Sequence, residues 1–108
     1  MYSTVIIWTL AVLVLTGCSE SIAEPIGIPI HKQEEGGYDT YRIPALAFTN
    51  AGTVLAFCEG RKASQSDTGD IDLLVKRSSD HGATWSEPQV IWDNAENTCG
   101  NPCVVVDR

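Results

Sequence analysis

Five side chains in the middle of the chain could carry chemistry: Arg42, Arg61, Asp67, Asp70 and Asp72. Forked guanidinium groups suit planar carboxylates, and carboxyl groups exchange protons with substrates. Arg42 stands in Tyr41-Arg42-Ile43-Pro44 at the start of one apolar run, and Arg61 in Glu59-Gly60-Arg61 just past the end of the next. A hairpin between these runs brings both arginines to one rim, although each taken singly reads as an ordinary surface residue. Asp67 falls in the stretch Lys62 to Gly69, whose Ser, Gln, Thr and Gly residues describe an exposed loop. A loop aspartate is free to reach a substrate. Asp70 and Asp72 open the following strand and read as solvated edge residues.

The remaining polar residues offer less. A calcium loop needs D-x-D-x-D-G and a later glutamate, whereas the order here is D-x-x-D-x-D. No C-x-x-C or histidine pairing suggests zinc, so neither metal nor cofactor is expected. His31 and His81 lack a partner that would make either a base, and both are expected to be exposed. Glu34-Glu35-Gly36-Gly37 reads as a solvated turn. Cys58 ends an apolar run and reads as a buried thiol. Cys99 and Cys103 flank Gly100-Asn101-Pro102, a turn-like spacer that leaves a bridge open.

The elements that would hold these residues are strands. No 3.6-residue apolar period runs through residues 30–108, while short β-rich runs recur between turn signals, which is an all-β pattern. Ile43 to Thr49 leads into Asn50-Ala51-Gly52-Thr53, and Val54 to Cys58 leads back, predicting a first hairpin. Ile71, Leu73, Val75 and Arg77 alternate with Asp72, Leu74, Lys76 and Ser78, and Gln89-Val90-Ile91-Trp92 follows a polar turn, predicting a second. Asn101 to Val106 reads as the start of another strand, cut short at Arg108 where a turn is due.

The connection inside the second hairpin, Ser78-Ser79-Asp80-His81-Gly82-Ala83-Thr84-Trp85, matches the Asp-box pattern S-x-D-x-G-x-T-W at every position. In such a turn the aspartate accepts backbone N–H groups, the glycine supplies a positive φ and the tryptophan packs beneath the loop. These roles are structural, so Asp80 is not a candidate catalyst. Asp boxes decorate blades of β-propellers and point to architecture more than to activity.

The chain has 108 residues, with 7 Lys+Arg against 14 Asp+Glu and a formal charge of −7. That excess of acid argues against nucleic-acid and anionic-lipid surfaces. Every charged residue lies at or after Glu20, and Val5 to Leu15 is apolar apart from Thr9. A bilayer-spanning helix needs about 20 such residues, so this run is too short to span and reads as the core of an export signal. Leu15-Thr16-Gly17-Cys18 resembles the lipobox of bacterial lipoproteins. The resemblance implies cleavage before Cys18 and a diacylglyceryl group on its sulfur, leaving the protein lipid-anchored at the bacterial cell envelope. The alternative is a simple signal peptide, an incidental Cys18 and a secreted protein. The expected organisation is therefore a signal at 1–17, an exposed tether at 18–30 and one small domain at 31–108.

Tyr-Arg-Ile-Pro, an arginine 19 residues later at Arg61, an aspartate six further at Asp67, and then an Asp box together resemble the N-terminal part of bacterial exo-sialidases, or neuraminidases. The resemblance covers roughly residues 30–108 and implies the first part, fewer than two blades, of a six-bladed β-propeller. It implies an exo-α-sialidase that removes terminal sialic acids from glycoproteins, glycolipids or oligosaccharides. In that family three arginines bind the substrate carboxylate, and Arg42 and Arg61 match the first two. Asp67 matches the acid/base that protonates the leaving oxygen. The family's nucleophile is a tyrosine, and Tyr2, Tyr38 and Tyr41 do not match its motif. The nucleophile, its partner glutamate and the third arginine are expected beyond Arg108, and the fragment alone is expected to be inactive. Two alternatives are a non-catalytic sialic-acid-binding propeller and an Asp-box repeat scaffold.

Overall fold

A computed structural model describes residues 27–107. The export signal, the lipobox with Cys18, most of the tether and Arg108 lie outside the described residues. The described part is all-β: β1 (Thr40–Phe48), β2 (Val54–Arg61), β3 (Ile71–Ser78) and β4 (Gln89–Trp92) follow a short 3-10 turn at Glu35–Gly37. They form one antiparallel sheet in the order β1-β2-β3-β4, an open meander with β1 and β4 at its edges. This is the build of a single propeller blade.

Both expected hairpins are present. In the first, Phe48 pairs with Val54, and the turn closes through Gly52 N–H to Thr49 O at 2.9 Å and Thr53 N–H to Thr49 Oγ1 at 3.0 Å. Gly52 has φ 86, which a glycine adopts without steric cost. In the second, β3 pairs with β4 from Val75↔Gln89 to Leu73↔Trp92. Between them, Ser86 N–H donates to Arg77 O at 2.9 Å and Arg77 N–H to Ser86 Oγ at 3.0 Å.

Three features of the strands differ from expectation. β1 begins at Thr40 and β2 runs on to Arg61, so Glu59, Gly60 and Arg61 belong to a strand instead of lying past its end. The reason is that β2 is paired on both sides, with Arg61 facing Thr40 on β1 and Ile71 on β3. Residues 101–107 form no strand, and Val105 is 87% exposed. Among the described residues no ladder receives this apolar run, and alternation without a partner strand makes no sheet. Finally, Asp72 is buried, not solvated, because the sheet face it shares with Leu74 is covered by Tyr38.

The core sits on that face. Tyr38, Cys58 and Leu74 pack together with Tyr41 against them, and Gly60 leaves the room that Tyr38 and Leu74 occupy. The Cys58 thiol is buried as expected, and burial pushes it up to about 12. His31 is half-buried instead of exposed, its ring 5.0 Å from that of Tyr41. Burial first, and the nearby Lys76 charge second, hold its imidazolium form below the usual histidine range. His81 is exposed in the β3–β4 turn. The thiols of Cys99, buried, and Cys103, exposed, are free.

Candidate functional site

Arg42, Arg61 and Asp67 converge. Arg42 faces Glu59 across the β1–β2 ladder, and Arg61 lies two residues beyond Glu59, so all three side chains share one sheet face. Immediately after Arg42 the register slips by one residue, from Arg42↔Glu59 to Ala45↔Phe57. Ile43 in this bulge has φ 55, a region that β-branched residues seldom enter. Pro44 follows and has no N–H to give the ladder. The bulge ends the regular pairing beside Arg42, a common device for re-aiming a side chain next to a site.

The loop between β2 and β3 brings Asp67 back over this face. Its ends are tied by Lys62 N–H to Asp70 O at 3.1 Å, and its interior by Ser66 and Thr68 N–H groups donating to Ser64 Oγ and Ser66 Oγ, each at 3.2 Å. Asp67 Oδ1 then lies 3.2 Å from Arg42 NH1 and 2.8 Å from Arg61 NH2.

The two arginines differ in what holds them. The Arg42 side chain is 47% exposed and that of Asp67 80%. An ion pair so open to water contributes about 0–1 kcal/mol, and an arriving anion can exchange for it. Arg61 is 2% exposed and almost fully engaged. Its Nε and NH2 donate to Glu59 Oε2 at 3.1 and 2.7 Å, and NH1 donates to Gln65 O at 2.5 Å. The Glu59 hydrogen bonds first, and Asp67 after them, raise its already high pKa further. Breaking a buried pair of this kind from one side costs about 3–5 kcal/mol. A fixed cation therefore underlies an exchangeable one, with a carboxylate between them that can move between partners.

Asp70 and Asp72 do not join this group. Lys62 Nζ reaches Asp70 at 2.9 Å, Asp72 at 3.1 Å and Asp93 at 3.9 Å. Asp72 Oδ2 also accepts the Tyr38 hydroxyl at 2.7 Å. An ammonium thus occupies the centre of the carboxylates, and among the described residues no group of side chains gathers to hold a metal ion. Tyr41 donates its hydroxyl to Glu35 O, which fixes it at the opposite face from Arg42.

Asp80 is consumed by its own turn. Thr84 N–H and Ser78 Oγ–H donate to Oδ1 at 2.8 and 2.7 Å, and Thr84 Oγ1–H to Oδ2 at 2.5 Å. These bonds, the Thr84 hydroxyl first, hold the carboxyl at about 2. Gly82 has φ 92, and Trp85 Nε1–H caps the turn on Gly82 O at 3.1 Å.

Sequence reasoning missed Glu59, Thr98 and Asn101. The stretch after β4 returns alongside the start of β3, where Ile71 and Thr98 form a parallel bridge and Cys99 N–H donates to Ile71 O at 2.8 Å. Thr98 Oγ1 accepts Gly69 N–H at 3.1 Å and donates to Gly69 O at 3.0 Å, holding the end of the Asp67 loop. Asn101 N–H donates to Glu59 Oε1 at 2.9 Å. Nothing in these residues' local pattern marks them, since their roles depend on contacts between positions about 30 to 40 residues apart.

No family model matches the chain. It is 38% identical over 77 residues to an exo-alpha-sialidase of Arthroderma benhamiae and 39% identical over 77 residues to one of Aspergillus fumigatus, in each case covering 66% of this chain and 19% of the relative. A sialidase of Micromonospora viridifaciens is 37% identical over 73 residues, 62% of this chain and 11% of the relative. The chain is thus similar to proteins named sialidase, and it spans about a fifth or less of the length of these relatives.

Proposed function

We propose that the full-length protein carrying this sequence is an exo-α-sialidase, with Asp67 as general acid and Arg42 and Arg61 as the cations that face the substrate carboxylate. The observation that carries the reading is the convergence of Arg42, Arg61 and Asp67 on one oxygen, in a chain similar to proteins named sialidase. Sialic acids bear a carboxylate on the anomeric carbon, and a half-exposed guanidinium suits it. Arrival of that carboxylate draws Arg42 away from Asp67. Asp67, then held by Arg61 alone and once protonated, gives its proton to the glycosidic oxygen as the bond to the anomeric carbon breaks through an oxocarbenium-like state. The nucleophile, its glutamate and the third arginine come from parts of the protein outside this sequence.

The test compares two substrates on the full-length protein. Arg42→Ala removes a charge-assisted contact of about 1.5–3 kcal/mol, so it lowers kcat/KM by similar factors on sialyl-lactose and on an activated aryl sialoside. Asp67→Ala removes the proton donor, which contributes about 10²–10⁴-fold, but an aryl leaving group needs little protonation. Its loss is therefore large on sialyl-lactose and small on the aryl substrate. Equal losses for Asp67→Ala remove it from the acid role, and sialoside binding without any release favours a non-catalytic sialic-acid-binding propeller.

The same proposal places the protein at the bacterial envelope through a lipid on Cys18, since the lipobox-like Leu15-Thr16-Gly17-Cys18 follows an apolar run too short to span a bilayer. Cys18→Ser is expected to abolish incorporation of a fatty-acid probe and to move the protein out of the membrane fraction. A wild-type protein that takes up no label supports the secreted alternative.

A further inference from the structure

We infer that Glu59 is a positioning residue for this reaction, acting through Arg61 on Asp67; the inference rests on the sialidase reading above. Carboxylates are seldom fully buried unless paired, and Glu59 is 3% exposed. Its two oxygens point at different elements. Oε2 takes both Nε and NH2 of Arg61, fixing the plane of the guanidinium, while Oε1 takes the Asn101 N–H. The far side of the same guanidinium then meets Gln65 O and Asp67 Oδ1, both in the β2–β3 loop.

The Asn101 backbone is itself anchored by Cys99 N–H on Ile71 O and by Thr98 on Gly69. Gly100 lets this segment close on the carboxylate, because a β-carbon there would overlap Glu59 Oε1. The order of support is thus backbone at 98–101, then Glu59, then Arg61, then Asp67. Asp67 is 80% exposed and its ion pairs are with Arg42 and Arg61. Once substrate engages Arg42, Arg61 is the fixed group left to place the acid. A counter-ion that merely neutralised Arg61 would not need its plane defined by two hydrogen bonds on one oxygen and a backbone clamp on the other.

A misplacement of about 1 Å in a reacting group can cost about 10²-fold, and it falls on the step the group serves. In the full-length protein, Glu59→Gln keeps an acceptor for Asn101 and loses the anion that orients Arg61. It is expected to lower kcat/KM on both substrates through the weakened contact of Arg61 with the substrate carboxylate, and to lower the sialyl-lactose rate by about a further 10-fold through displacement of Asp67. Gly100→Ala, which displaces the carboxylate without changing charge, is expected to show the same substrate contrast at smaller size. In an Asp67→Ala background the extra loss on sialyl-lactose should vanish, leaving for each change only the loss common to both substrates. Circular dichroism and thermal unfolding establish that each variant is folded, and Gly100→Ala carries the test if Glu59→Gln is not. Equal losses on both substrates, or full additivity with Asp67→Ala, overturn the positioning role and leave Glu59 a structural counter-ion. If Asp67→Ala itself lacks the substrate contrast, the general-acid reading falls and this inference with it. A contrast for Asp67→Ala without one for Glu59→Gln and Gly100→Ala removes the inference alone.

Discussion

Gly60 separates the two faces of β2, with the charged pair Glu59 and Arg61 on one side and the aromatic core on the other. A β-carbon at this position would lie 2.7 Å from Leu74 Cδ1 and 2.7 Å from Tyr38 Cδ1. Both neighbours are buried, and Tyr38 is held by its hydrogen bond to Asp72, so neither can withdraw freely. Gly60→Ala is therefore an overpacking change, expected to cost about 1–3 kcal/mol of stability. Chemical denaturation of the full-length protein checks it, and an unchanged midpoint would contradict the packing described. At this scale the site was partly legible. Arg42, Arg61 and Asp67 stood out through the resemblance and do lie together, but Glu59 did not stand out, since a glutamate before a glycine reads as a turn until the strand is known to continue. Asp72 was misread for a related reason. Its alternation with Ile71 and Leu73 assigns it to the outer face only if that face is bare, and Tyr38 covers it.

At the scale of elements, the Ser78–Trp85 turn shows how a short polar segment sets the geometry of a hairpin. The Asp80 carboxyl is lowered from an ordinary 3.8 to about 2, first by the Thr84 hydroxyl, then by Thr84 N–H and Ser78. A carboxyl depressed in the folded state binds fewer protons there than in the unfolded chain at acid pH. Its stabilisation is complete above about 3.8 and is lost as the pH falls through about 2. Asp80→Asn should lower the thermal midpoint at neutral pH, and the difference from wild type should shrink between pH 4 and pH 2. A difference independent of pH across that range would mean that the turn does not rely on the charge. Both hairpins were legible because their turn chemistry is local. The return of residues 97–101 beside β3 was not, because a single parallel bridge and scattered hydrogen bonds to Gly69, Ile71 and Glu59 leave no periodic trace. The same limit explains the strand expected at 101–106: apolar alternation specifies a face, while a strand also needs a neighbour.

For the molecule as a whole, the sheet buries its two middle strands, Leu74 on the face of Tyr38 and Ile71 and Val75 on the face of Arg61, and among the described residues leaves its edge strands open. Leu46 is 58% exposed and Phe48 67% on β1, and Trp92 is 63% exposed on β4. A sheet is stable when a second layer or ring closure covers such surface, and an uncovered apolar edge strand invites pairing with another chain. A propeller blade takes roughly 40–50 residues and its ring must close to remove its edges. Residues 18–108 expressed alone are therefore expected to self-associate through β1 or β4, eluting as mixed oligomers on size exclusion and binding a hydrophobic dye. Charge substitutions on the edges, such as Phe48→Lys with Trp92→Lys, should reduce that association, as lysines on edge strands do elsewhere. On the reading proposed above, the same preparation should release no sialic acid from a fluorogenic sialoside, since neither Tyr38 nor Tyr41 is expected to be the nucleophile. A monodisperse monomer with no dye binding would show that this sheet is self-sufficient. Turnover above a vector control would show that the reaction needs only the residues of this chain, and would return Tyr38 and Tyr41 to consideration as nucleophiles.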